Sequence, residues 1–237
     1  MLPSMAATAS SKQCLTELSA TIGALGAAIE MDIDRTAEDR TFFTSERTTL
    51  QSHFDRVFEA DQAVTKHALL VHAPRQSAVV LGDNVLDRGV RGAKTRMRLE
   101  LKTSSIPDGA DHVFPSDISE ITDAERRVEP QLVLNATAKF DQVPDFHGKA
   151  QLKADLEGRA NRQREAFAQR DAGYTTAEQL EGALDRAIAE ADEALFVFER
   201  RLEIQFPRDA KYVAAFFLEK PSRKKKKAPV PVTPVVG

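Results

Sequence analysis

Five histidines, one cysteine and 36 carboxylates are the side chains of this 237-residue sequence with the chemistry for metal binding or proton transfer. Their spacing argues against most of it. His53 and His67 are separated by about 21 Å along a helix, too far to share an ion. His67 and His72 project roughly 140° from one another on a helix of 3.6 residues per turn. No Glu-x-x-His pair and no His-Glu-x-x-His motif occurs. Asp32-x-Asp34-x-Thr36 opens like a calcium loop, but Ala37 stands where the turn glycine belongs and Phe43 where the closing glutamate belongs. Cys14 is alone, which removes intramolecular disulfides and cysteine zinc sites and leaves a nucleophile with no nearby base. Glycine-rich phosphate loops and nucleophile elbows are missing as well. The groups Asp32/Asp34 and Glu190/Asp192/Glu193 read as solvated turn or helix residues. The expectation is a protein without cofactor or metal, leaning away from catalysis.

Cations make the stronger signal. Arg88, Arg91, Arg98 and Lys102 fall within an arc of about 80° if their segment is helical. Such a stripe suits a phosphate backbone or an acidic partner, or else pairs with carboxylates on neighbouring helices. At the C-terminus stand Lys220, Arg223, Lys224, Lys225, Lys226 and Lys227, six cations in eight residues with no acid among them. With those six set aside, the chain holds 27 basic against 36 acidic residues, a balance of −9 where the whole chain shows −3. A basic tail on an acidic body can reach nucleic acid or an anionic membrane surface, or fold back on the body itself. No aromatic residue interleaves the lysines, so base stacking is unavailable there and any attraction to nucleic acid is salt-sensitive. Ala228–Gly237 alternates Pro and Val, which favours polyproline II and offers a docking peptide.

The elements that would carry these groups are helical. Leu15, Leu18, Ile22, Leu25 and Ile29 recur three or four apart and predict a buried helix over 15–31. From Phe43 an apolar residue returns every seven: Leu50, Val57, Val64 and Val71. That spacing predicts a long helix packed along a neighbour, as in an antiparallel coiled coil, with Pro74 ending it. Residues 78–102 read as helix, with a short strand at Met97, Leu99 and Leu101 as the alternative. Residues 103–117 are turn-rich, and the pieces around Ile118–Arg127 and Leu132–Phe140 fit helix or strand equally. A helix follows over about 149–171. Thr175-Thr-Ala-Glu178 has the form of a capping box, and a new stripe then runs through Leu180, Leu184, Ile188, Ala191, Leu195, Phe198 and Leu202. Pro207 stops it before a last short helix over Arg208–Leu218.

Three short matches recur in order. Leu86-Asp-Arg-Gly-Val90 parallels Leu184-Asp-Arg-Ala-Ile188, and Arg98-Leu-Glu-Leu101 parallels Arg201-Leu-Glu-Ile204. A Pro-x-x-Ala-x-x-Val pattern follows each, at Pro107 and Pro207. They raise a duplicated helical hairpin, with halves of about 36–116 and 145–219.

The expected molecule is all-α: a flexible N-terminus over 1–14, an antiparallel helical bundle over 15–219, and a disordered basic, Pro/Val-rich tail over 220–237. The absence of an 18-residue apolar run and of a secretory leader points to a cytoplasmic protein. Its expected role is non-enzymatic, a structural or adaptor protein making protein–protein contacts in a larger assembly. The alternative is a nucleic-acid-associated protein using the tail and the Arg88–Lys102 stripe; an enzyme or small-molecule binder with a site inside the bundle comes third.

Overall fold

A computed structural model describes residues 5–31, 36–106 and 108–218. The architecture is all-α, and no strand occurs among the described residues. The helices are α1 (Met5–Glu30), α2 (Ala37–His67), α3 (Ala73–Leu101), α4 (Gly109–Val113), α5 (Ser119–Thr122), α6 (Glu129–Thr137), α7 (Lys149–Gln205) and α8 (Ala210–Ala214). A π turn over Ala68–His72 joins α2 to α3, and a 3-10 turn over Ala138–Gln142 extends α6. The chain divides into two compact units, Met1–Asp61 with Ala183–Gly237, and Gln62–Gly182. Helices α2 and α7 contribute to both.

In the first unit, α1, the early part of α2 and the late part of α7 form a bundle of alternating direction. Ser11 donates to Asp61 Oδ1 at 2.6 Å, near one end of the α1–α2 pair, and Arg47 lies against Gly26 near the other. Arg56 pairs with Glu190 at 3.2 Å, Arg201 with Glu46 at 2.6 Å, and Gln205 donates to Asp39 at 2.9 Å. Numbers rise along one helix as they fall along its partner, which fixes the antiparallel sense. Leu18, Leu25, Phe43, Leu50, Val57, Leu184, Phe198 and Leu202 fill the interior. The start of α2 is capped reciprocally: the Asp39 amide donates to the Thr36 hydroxyl, which in turn donates to the Asp39 carboxylate.

In the second unit, α3 runs antiparallel to the early part of α7. Arg75 donates to the Gln169 carbonyl, Gln163 to that of Val79, Arg159 to that of Val85, and Arg96 to that of His147. The short helices α4–α6 close the far end of this pair over Leu86, Val90, Met97, Leu101, Phe114, Val133, Phe140 and Leu156. Lys94, 5% exposed, threads into that end. Its ammonium donates to the carbonyls of Pro115 and Ser116 and meets Asp111 Oδ1 at 3.0 Å, tying the α4–α5 connection to α3.

Several boundaries differ from those read in the sequence. Helix α1 begins at Met5, ahead of the expected start at 15, and its stripe is continued by buried Ser11 and Cys14, which are small enough to pack. Pro74 starts α3 instead of ending α2. Proline lacks the N–H for the preceding turn, and the widened turn, closed by the Ala73 amide on the Ala68 carbonyl, absorbs the mismatch. Thr175-Thr-Ala-Glu178 caps nothing and lies inside α7. Its hydroxyls turn back to the carbonyls of Asp171 and Ala172. The strand alternative at Met97–Leu101 gives way to helix, with Leu99 exposed while Met97 and Leu101 are buried.

The proposed halves, 36–116 and 145–219, each cross a boundary between the two units. Of their matched motifs, Leu86 and Val90 are buried as Leu184 and Ile188 are, and Val113 as Val213 is, but the middle pair differs. Arg98-Leu-Glu-Leu101 buries its last residue, whereas Arg201-Leu-Glu-Ile204 buries Leu202 and leaves Ile204 exposed. What the two stretches share is a long helix followed by a five-residue one, α4 or α8.

Candidate interaction surface

The cationic stripe foreseen on α3 is only partly available. Arg98 is held by Asp111 at 2.9 Å, and Arg91 donates to the Thr122 hydroxyl at 3.2 Å. Arg88 and Lys102 are exposed and have no such partner among the described residues. The four do share one helix, but half of them serve to hold α4 and α5 in place. Lys220, Arg223, Lys224, Lys225, Lys226 and Lys227 lie outside the described residues, as do Asp32 and Asp34 of the calcium-loop-like segment.

The histidines do not converge. His72 rests edge-on against Tyr174, its ring centre 4.7 Å from that of the tyrosine. Among the described residues, no group of three or more His, Cys, Asp or Glu side chains is placed to hold a metal ion.

Two features were not among the sites read in the sequence. The first is a carboxylate cluster. Asp83 and Asp87, one turn apart on α3, face Glu129 at the start of α6. Glu129 is 1% exposed. Burial, hydrogen bonding with Asp87 and the charges of both aspartates push its carboxyl up to about 9. Glu129 is therefore neutral at neutral pH. Its Oε1 and Asp87 Oδ1 are buried without another partner, and a proton on Glu129 would supply the donor the neighbouring aspartates lack. Arg126 neutralises Asp83 from the rim at 3.0 Å. The cluster joins α3 to α6 and has the form of an internal tie.

The second feature is an exposed apolar face. Leu70 is 73% exposed, Leu81 65%, and Leu69 and Val85 also face solvent. Pro74, Ser77, Leu81 and Val85 follow one another three or four apart on α3, with exposed Ala78 beside Ser77. The stripe lies opposite the buried one of Val79, Leu86, Val90 and Met97, so α3 is apolar on two sides. The inner side packs on α7. The outer side resembles the seam of a helix pair. The sequence signal was present, since Leu81 and Val85 break the polar pattern expected of a solvated face, but the buried stripe of the same helix masked it.

No protein-family model, curated protein or solved structure matches the chain. No helix among the described residues is long and apolar enough to cross a membrane.

Proposed function

We propose that this chain is a structural or adaptor protein that assembles by helix packing, with the outer stripe of α3 meeting the same stripe on a second copy. One observation carries the reading: the stripe is nearly palindromic. About a point between Ser77 and Ala78, Leu70 is the counterpart of Val85 and Pro74 of Leu81. Two antiparallel copies related by a twofold axis would set each large apolar residue against an apolar one, with small side chains at the crossing. Ser and Ala there allow the helix axes to approach closely, and the surrounding leucines then leave water. An isologous contact of this kind needs no third component and closes on itself.

Light scattering on a sizing column tests it. The expected mass is twice the 26.1 kDa of the chain, and it should persist in high salt because the contact is apolar. Leu81→Asp should return the mass to that of one chain while circular dichroism stays helical. A wild-type protein that remains a single chain up to its solubility limit would overturn the proposal.

A further inference from the structure

In the first unit, α1, α7 and the segment after α8 enclose a groove of about 450 Å³. Phe196 and Leu218, both about half exposed, form its apolar walls. Glu17, Asp192 and Glu199 line it along with Cys14, and no Lys or Arg is among the lining residues. None of the three carboxylates has an ion pair among the described residues, and Glu17 accepts only a hydrogen bond from Gln13 at 3.1 Å. The Arg200 guanidinium, which lies over the Phe196 ring, is engaged by Glu203 at 2.6 Å. The negative field of the groove is felt by its own members. Burial and the charge of Glu17 raise the Asp192 carboxyl above its ordinary range, and burial with both carboxylates pushes the Cys14 thiol up to about 11.

We infer that this groove is the docking site for the chain's own basic segment, Lys220–Lys227. Two observations select this occupant over a foreign one. Leu218, the last described residue, is itself part of the groove wall, so Lys220 lies two residues away, within about 7 Å of extended chain. Charge then matches: three uncompensated carboxylates meet six cations in eight residues. Tethering makes the encounter intramolecular, which raises the local concentration of the segment far above that of any free basic peptide. Docked in this way, the lysines are withheld from polyanions until salt or a stronger anion displaces them.

Carbodiimide coupling of the full-length protein at low salt, followed by peptide mass spectrometry, provides the test, because it joins an ammonium to a carboxylate only in contact. Links from Lys220–Lys227 to Glu17, Asp192 or Glu199 are expected, and they should be lost at high salt. Coupling a mixture of isotope-labelled and unlabelled chains identifies the source. Links within one chain support the proposal, whereas links of mixed isotope would assign the groove to another copy's tail and overturn it. Absence of links to all three acids at low salt would overturn it as well. As a second measurement, E17Q/D192N/E199Q should bind a phosphate-rich resin more tightly than wild type, because its tail is released. Equal retention would count against docking even if the coupling were ambiguous in yield.

Discussion

Where α2, α7 and α8 meet in the first unit, rings fill the space. Phe43 stacks 5.5 Å from Phe216 and 5.9 Å from Phe206, Phe198 sits edge-on to Phe216, and Tyr212 closes over both Phe206 and Phe216. In the second unit an edge-on pair, Phe114 and Phe140, sits in the core cluster, and most of the corresponding work falls to aliphatic side chains and to polar groups kept inside: Lys94, Glu129 and Gln163. The first unit also buries a carboxylate, Glu46, but Arg201 answers it directly from α7 at 2.6 Å. The difference is one of selectivity. Rings gain from any close packing, so an aromatic core tolerates small shifts of its helices. A buried polar group is satisfied in only one arrangement, so it fixes spacing and register and carries a penalty for every alternative.

The sharpest way to break the comparison is to remove volume from the aromatic core. Phe43→Ala should cost about 3–5 kcal/mol in urea unfolding, because the cavity lies among rings too large to collapse into it. That loss should be the same at pH 5 and pH 8, as expected when what is removed is packed volume. A pH-dependent loss would show that the rings are coupled to charges and would blur the distinction between the two units.

Glu129 tests the other side. Its folded-state value of about 9 lies above the ordinary 4.5. The folded protein therefore holds a proton that the unfolded chain releases. The stabilisation is complete below the unfolded value and is lost as pH rises toward the folded one, by at most about 1.4 kcal/mol per pH unit. Glu129→Gln supplies a permanent donor to Asp87 in place of the proton. It should leave stability at pH 4.5 nearly unchanged and flatten the decline between pH 5 and 8, as read by thermal unfolding across that range. A variant that declines as steeply as wild type would mean that the proton between α3 and α6 resides elsewhere.

How much of this was readable in advance depended on whether the signal was periodic or local. Phe43, Leu50 and Val57 are buried as their seven-residue spacing predicts, while Val64 and Val71 further along are only half-buried; Leu184, Ile188, Ala191, Phe198 and Leu202 are buried as theirs predicts, with Leu180 and Leu195 half-buried. Periodicity reports burial directly because a helix presents one face to its neighbour. Local signals were less reliable. A threonine can cap a helix start or bond back within a helix, and Thr175 and Thr176 do the second. Proline at 74 can end a helix or begin one after a widened turn. The Glu129 cluster was not readable at all, because its members come from α3 and α6 and acquire their chemistry only from burial together. The groove near Cys14 was hidden for the same reason: Glu17 and Asp192 lie far apart in sequence and meet only when α1 and α7 pack.

The smallest expected effect is the most selective for the idea that polar groups set helix spacing. Gln163, 1% exposed on α7, donates to the Val79 carbonyl of α3 at 3.0 Å, and its Oε1 lies where a side chain on Gly82 would begin: a Cβ there would sit 1.9 Å away. Gly82→Ala must therefore displace the amide and break its bond to Val79, at a cost of about 1–3 kcal/mol. Replacing glycine within a helix returns about 1 kcal/mol, so the net loss should be about 0–2 kcal/mol. In a Gln163→Ala background the obstruction is gone, and the same Gly82→Ala change should stabilise the protein. This reversal of sign distinguishes a specific contact from general crowding, and a double-mutant cycle in urea measures it. If Gly82→Ala costs the same in both backgrounds, Gln163 does not set the approach of α3 to α7, and the polar interior of the second unit loses its role in fixing register.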